Sequence, residues 1–185
     1  MKEKVYGSTY TQGYEVYDSV CILDEPDACL PRFKWFASNY VEGMDDIYGI
    51  IGMATGFHSG SGPNMIMSLY EGGVISEPVF GWYLSDMSDE SYVDIGFLSA
   101  ESIREGEELV WLPVVEDDFW WTNFVTAIKF DDEEFALSTA YAMTDTGTSC
   151  AYVPSSLYFY ITDKVLTNVS DVEVDFWGDV YFDCD

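Results

Sequence analysis

Basic residues are scarce in this chain: seven Lys and Arg stand against 34 Asp and Glu, for a formal net charge of −27 at pH 7. Holding phosphates requires Lys and Arg, so nucleic acid is excluded as a partner. An anionic membrane surface is disfavoured for the same reason. Long hydrophobic runs are also missing. Spanning a bilayer takes about 20 consecutive apolar residues. Here Asp, Glu, Gly or Ser breaks each apolar patch within a few residues, which predicts a soluble globular protein without membrane insertion. Histidine occurs once, as His58 in a Gly- and Ser-rich loop, and reads as a surface residue rather than a general base. The four cysteines, Cys21, Cys29, Cys150 and Cys184, contain no Cys-x-x-Cys pair. With one histidine they make no zinc set, and no metal or other cofactor is expected. No serine sits in a Gly-x-Ser-x-Gly elbow, which removes that route to a serine nucleophile. The opening Met1-Lys2-Glu3-Lys4-Val5-Tyr6 is followed by no apolar stretch of the signal-peptide kind. The reading is a cytosolic protein or a true N-terminus lying upstream.

What is present is a chain of 185 residues, 48% apolar and 17% aromatic. That suffices for a sizeable core in one compact domain or two small lobes. The segments Val79–Leu84, Tyr92–Leu98, Leu109–Val115 and Trp121–Phe130 are rich in Val, Ile, Tyr, Trp and Phe, and acidic or Gly-containing breaks separate them. They predict strands. The acidic clusters Glu116–Asp118 and Asp131–Glu134 predict exposed turns. Two segments predict helices: one opens with Pro63 near its first turn and stops at Gly72-Gly73, and the other opens at Pro154 and runs to about Val165. Many short strands with two short helices predict an all-β architecture.

The acidity fits two readings equally, a protein of an acidic compartment and a solubilising surface. Crowded carboxylates raise one another's pKa, so the stability they permit is present at low pH and lost as pH rises through the raised values. Asn168-Val169-Ser170 is a glycosylation sequon, meaningful only for a secreted chain. Asp171, Glu173 and Asp175 have the spacing of a calcium loop, but Phe176 takes the position that needs Gly, so the run reads as a solvated strand edge. For Cys21 and Cys29, spacing alone leaves a disulfide open.

The one motif that carries chemistry is Asp145-Thr146-Gly147-Thr148-Ser149, approached through Tyr141-Ala142-Met143-Thr144. By chance Asp-Thr-Gly arises in a chain this long with a probability of roughly a few per cent, and the two further residues lower that by about two orders of magnitude. By itself the triplet also suits a plain turn. As a reactive loop it suits a carboxylate that activates water against a peptide carbonyl, while a second carboxyl holds the proton for the carbonyl oxygen and leaving amine. Two carboxyls about 3 Å apart cannot both ionise and share one proton. Gly147 lets backbone N–H groups approach the Asp closely, and the following hydroxyl donates to the carboxylate.

At this point the sequence resembles the pepsin-like aspartic endopeptidases. The family's second active-site loop reads small-apolar-apolar-Asp-Thr-Gly-Thr-Ser followed by a proline, matched by Ala142 to Ser149 and Pro154. Tyr6-Gly7-Ser8-Thr9, then Gly13 and Tyr17-Asp18-Ser19-Val20, is similar to the flap hairpin and its returning strand. Tyr48-Gly49-Ile50-Ile51-Gly52-Met53 resembles the segment whose apolar-apolar-Gly unit threads beneath the first catalytic loop. Pro78 to Ser85 looks like the strand entering the C-terminal lobe, and Val110-Trp111-Leu112-Pro113-Val114 with Trp120-Trp121 matches a further family stretch. Three departures stand out. Tyr48 replaces a usual Asp. Thr9 replaces a flap glycine, which stiffens the tip. Cys150 sits where an apolar residue is usual and reads as a buried thiol. Cys184 lies where the family begins a C-lobe disulfide.

The resemblance implies a bilobal acid-protease fold, incomplete at both ends, from the flap to just past the second catalytic loop. Residues 1–80 are expected to be the C-terminal part of the N-lobe with the flap, and residues 81–185 the N-terminal part of the C-lobe. It implies cofactor-free endoproteolysis of a polypeptide substrate, fastest at acid pH, by a monomer when full length, in a secreted or lysosomal/vacuolar lumen. Asp145 would be the second catalytic Asp, with Thr146, Gly147 and Thr148 supporting its loop, and Tyr6, Gly7 and Ser8 forming the substrate-covering flap. No other Asp-Thr-Gly or Asp-Ser-Gly occurs in the chain. The other reading is therefore an inactive relative that binds peptides or a partner.

Overall fold

The computed structural model describes residues 1–22, 28–43, 48–55, 62–85, 91–115, 120–130, 132–148, 150–168, 172–176 and 180–181. His58, Asp131, Ser149, Val169, Ser170, Asp171, Cys184 and the acidic cluster at 116–118 lie outside the described residues. The chain divides into two units, Met1–Trp121 and Thr122–Asp185.

The first unit opens with an antiparallel sheet of β1 (Lys2–Tyr6), β2 (Thr9–Cys21) and β3 (Cys29–Glu42), in that spatial order. β-Branched and aromatic residues such as Val5, Tyr10, Tyr14, Val16, Phe33 and Trp35 favour the pleated backbone. The β2–β3 ladder slips at Gln12/Gly13, where Asn39 is the extra residue, and again between Asp18 and Val20. Pro31, which has no N–H to give a ladder, falls in the second slip. A disulfide joins Cys21 to Cys29 across the far end of this pair.

Helix α1 (Met65–Glu71) begins two residues after the proline expected near its first position. Asn64 is the cap, its side-chain oxygen accepting the Met67 N–H at 3.0 Å, and Pro63 precedes it. The cap satisfies one of the first-turn donors that a helix leaves unpaired. At the other end, Val74 N–H bonds to Leu69 O and Gly73 N–H to Tyr70 O, with Gly73 at φ +70°. This is a Schellman closure, and it falls where Gly72-Gly73 predicted the helix to stop. It folds Val74 back onto the core, where Leu69 (0% exposed), Leu30 and Met65 are buried with Val20, Ile22, Phe33, Ile75 and Ile95 packed around them.

Strands β4 (Phe80–Tyr83) and β5 (Tyr92–Ile95) pair antiparallel. Asp94 is buried on β5, and its carboxylate accepts the Ser99 N–H at 2.7 Å. The expected strand over Leu109–Val115 does not form: this stretch is irregular, and Val110, Trp111 and Leu112 are exposed. Pro113 removes a ladder donor at its centre.

The second unit is built on the hairpin of β6 (Thr122–Phe130) and β7 (Glu133–Met143). Asp132 lies in its turn, whereas Glu133 and Glu134 already belong to β7, so the acidic cluster is only partly a turn. Helix α2 (Ser155–Tyr160) starts after Pro154 and continues through a wide turn, Ile161–Val165, and a 3₁₀ turn, Leu166–Asn168. Tyr160 stacks near Phe130 and Phe135, and its hydroxyl donates to Glu133 at 2.9 Å, which raises the phenol pKa. Leu157 and Leu166 are buried. The short β8 (Glu173–Val174) and β9 (Val180–Tyr181) pair beyond them, with Phe176 fully outside. The architecture is all-β with two short helices.

Candidate active site

The Asp145 loop is held from both sides. β7 delivers it after Met143, and α2, anchored on the β6–β7 turn through Tyr160, takes up the chain at Ser155. Thr146 and Gly147 form a turn, closed by the Thr148 N–H to the Asp145 carbonyl at 3.3 Å. This turn folds the loop back on the Asp145 side chain. The Gly147 N–H donates to Oδ1 at 2.9 Å, and the Thr148 hydroxyl donates to Oδ2 at 2.5 Å. Each carboxylate oxygen thus accepts one bond, and both favour the charged form. The Thr148 hydroxyl, then the Gly147 N–H, lowers the Asp145 pKa, against a smaller opposing effect of burial. The two donors thus orient a half-buried carboxylate and favour its charged form.

The crowding expected to raise carboxylate pKa values is reversed here and at Glu15. Glu15 lies between Lys2 and Lys34, and hydrogen bonds from Lys2 and then Lys34 lower its pKa. Paired or hydrogen-bonded carboxylates, rather than crowded ones, set these two directions.

Tyr6, Gly7 and Ser8 sit together at the tip of the β1–β2 hairpin, in the first unit, whereas Thr146, Gly147, Thr148 and Asp145 share the loop in the second. Tyr6 faces Thr9 across a two-residue loop in which Gly7 takes φ +54°, the positive φ that twisted hairpin turns require. All three tip residues are exposed. Thr9 donates its hydroxyl to the Gly43 carbonyl at 3.0 Å and so ties the tip to the end of β3. That bond was not legible in the sequence, because residues 9 and 43 meet only through the sheet register.

Trp121 donates its indole N–H to the Met53 carbonyl at 2.8 Å and packs edge-on against Phe80. It therefore pins the end of the Tyr48–Met53 segment, in which Ile50 and Ile51 are exposed. Cys150 is exposed and free, which corrects the expected buried thiol.

A family model described as eukaryotic aspartyl protease matches residues 4–185. The chain is 29% identical over 171 residues to the vacuolar aspartic protease of Candida albicans, covering 86% of this chain and 39% of that protein. It is 24% identical over 187 residues to gastricsin of Rattus norvegicus, covering 97% of this chain and 46% of the relative. A probable vacuolar protease A of Trichophyton verrucosum is 29% identical over 171 residues, with 86% and 40% covered. The chain thus spans less than half the length of these relatives. A family model that matches all but the first three residues is decisive: the chain belongs to the eukaryotic aspartyl proteases.

Proposed function

We propose that this chain is the flap-to-second-loop portion of an aspartic endopeptidase, with Asp145 as one of two catalytic carboxylates. The observation that carries this is the Asp145 carboxylate, oriented by the Gly147 N–H and the Thr148 hydroxyl in a chain of this family. Alone, Asp145 has its charged form favoured by these two donors. Set about 3 Å from a second carboxyl it would share a single proton, the established behaviour of the aspartic-protease pair. One carboxylate then draws a proton from the attacking water while the other hydrogen-bonds the peptide carbonyl. Tyr6, with Gly7 and Ser8, covers a polypeptide substrate, residues 1–80 end one lobe, and residues 81–185 begin the next. The working compartment is secreted or vacuolar, in keeping with relatives named as vacuolar proteases, and the full-length protein is a monomer. The mechanism calls on no cofactor.

A second reading is an inactive relative that binds peptides or a partner. Sequencing the transcript on both sides of this frame separates the two. An Asp-Thr-Gly-Ser loop upstream and an apolar-apolar-Gly unit downstream support the enzyme. Start and stop signals that bracket these residues overturn it.

A further inference from the structure

The tip of the β1–β2 hairpin is braced from the side of β3. Along the sheet β2 pairs with both neighbours, and its ladder with β3 runs from Cys21 opposite Cys29 up to Tyr10 opposite Glu42. That ladder stops one residue short of Thr9, the partner of Tyr6 at the turn. Residues directly opposite on paired strands share a side of the sheet, so the Thr9 side chain stands beside that of Tyr6. Its hydroxyl donates to the Gly43 carbonyl at 3.0 Å. Gly43 follows β3 directly and takes φ +78°. A Cβ on it would lie 2.6 Å from the Ser8 carbonyl oxygen and 3.5 Å from the Thr9 Cα. The end of β3 therefore packs against the Ser8–Thr9 peptide backbone to backbone, an approach that glycine admits. A hydrogen bond and a backbone contact thus join the same two pieces of chain. Tyr6 itself is 48% exposed and lies one ladder step from this joint. Two residues further back, Thr11 makes a bond of the same kind, its hydroxyl donating to the Tyr40 carbonyl at 2.9 Å.

We infer that Thr9 is a positioning residue for Tyr6: its bond to Gly43, with the close approach of Gly43 to Ser8, fixes the hairpin tip before substrate arrives. The inference rests on reading the hairpin as the flap that covers substrate, and it deepens that reading by naming what holds the flap in place. The physical reason is preorganisation. Exposed loop tips are among the most mobile parts of a chain. A tip that is ordered only on binding loses conformational entropy at that moment, and the loss comes out of affinity. A tip already held against β3 loses less. Because Tyr6 and Thr9 are ladder partners across a two-residue loop, a tip released from Gly43 carries Tyr6 with it. This role involves no proton transfer, so its removal acts on KM and leaves kcat nearly unchanged.

Two measurements test it. In NMR relaxation on the 185-residue chain, the backbone order parameters of Tyr6, Gly7 and Ser8 should lie near the rigid value of about 0.85 in wild type and in Thr9→Ser. They should fall toward about 0.6 in Thr9→Val, which deletes the donor at nearly constant size, and in Gly43→Ala, whose Cβ pushes Ser8 away. In peptide hydrolysis by the full-length protein that carries this chain, Thr9→Val should raise KM about two- to tenfold, the range of one net hydrogen bond. Its kcat should stay within about twofold of wild type, and Thr9→Ser should restore KM. Thr11→Val, which removes a similar bond further from the tip, should move neither the order parameters nor KM. Unchanged tip order in Thr9→Val, or an equal loss in Thr11→Val, overturns the inference. Tyr6→Ala separates it from the reading beneath it. If Tyr6→Ala raises KM while Thr9→Val does not, the flap reading stands and the inference fails. If Tyr6→Ala leaves KM unmoved, the flap reading itself fails, and the positioning role falls with it.

Discussion

Replacing Gly13 by alanine tests whether the sheet behind the β1–β2 hairpin tip is set by backbone contact. A Cβ on residue 13 would lie 2.1 Å from the Ala37 carbonyl oxygen and 2.9 Å from both the Ala37 carbonyl carbon and the Ser38 Cα. All three are backbone atoms of the neighbouring strand, so no side chain can swing aside. A carbon settles at about 3.3 Å or more from a carbonyl oxygen, so β2 and β3 must part locally by about 1 Å. The parting falls at the register slip beside Gln12, where Gly13 pairs with Ser38. Backbone shifts of this kind cost about 1–3 kcal/mol. The narrower unfolded ensemble of alanine offsets about 0.4–1 kcal/mol of that. A net destabilisation of about 1–2 kcal/mol follows. Urea unfolding should show it as a lower midpoint with an unchanged slope. Amide exchange should localise it, with protection lost in β2 and β3 near Gly13 and kept in β6 and β7. An unchanged midpoint with intact protection in β2 would refute the reasoning.

Two further predictions follow from the core and the loop. Leu69→Ala removes a side chain with 0% exposure and should destabilise the first unit by about 2–5 kcal/mol in the same melt, because the cavity collapses only in part; a loss below about 1 kcal/mol would mean that the site is not the core described. Thr148→Val deletes the donor to Asp145 Oδ2 at nearly constant size, so the Asp145 pKa should rise toward its ordinary value, while Thr148→Ser keeps it low. Carboxyl NMR titration reads this directly, and an unmoved titration would contradict the assigned cause. The sign for stability follows from the lowered value. The contribution of Asp145 is present above the unfolded carboxylate pKa and is lost as pH falls through the lower folded pKa. Wild type and Thr148→Val should therefore differ near neutrality and converge in strong acid.

Much of the fold was legible because periodicity and chain punctuation agreed. The expected strands over Val79–Leu84, Tyr92–Leu98 and Trp121–Phe130 correspond to β4, β5 and β6, each trimmed by a residue or more at its ends. β5 stops at Ile95 because Gly96 turns to φ +83° and bonds back to Val79. Leu109–Val115 had the same composition as a strand, but composition does not supply a partner, and Pro113 interrupts the donors. β3 was harder to read because Pro31, Arg32 and Lys34 break its apolar alternation, and only the ladder with β2 keeps it extended.

The candidate loop was legible as a motif, and its chemistry followed from residue types. What escaped were relations that exist only after folding. These include the Thr9 tie to Gly43 and the Trp121 bond to Met53. The expectation of raised carboxylate pKa values is reversed at Asp145 and Glu15 for a related reason. Counting acids predicts repulsion, whereas the pKa of Asp145 answers to two donors a few residues away.

The most direct measurement of the central claim is peptide hydrolysis at acid pH by the full-length protein that carries this chain, with and without Asp145→Asn. The side chains are nearly the same size, but the amide can neither hold nor share the catalytic proton. The account predicts that cleavage falls by several orders of magnitude, the scale seen when one member of a concerted catalytic group is removed. Cleavage that persists at a substantial fraction of the wild-type rate would contradict it.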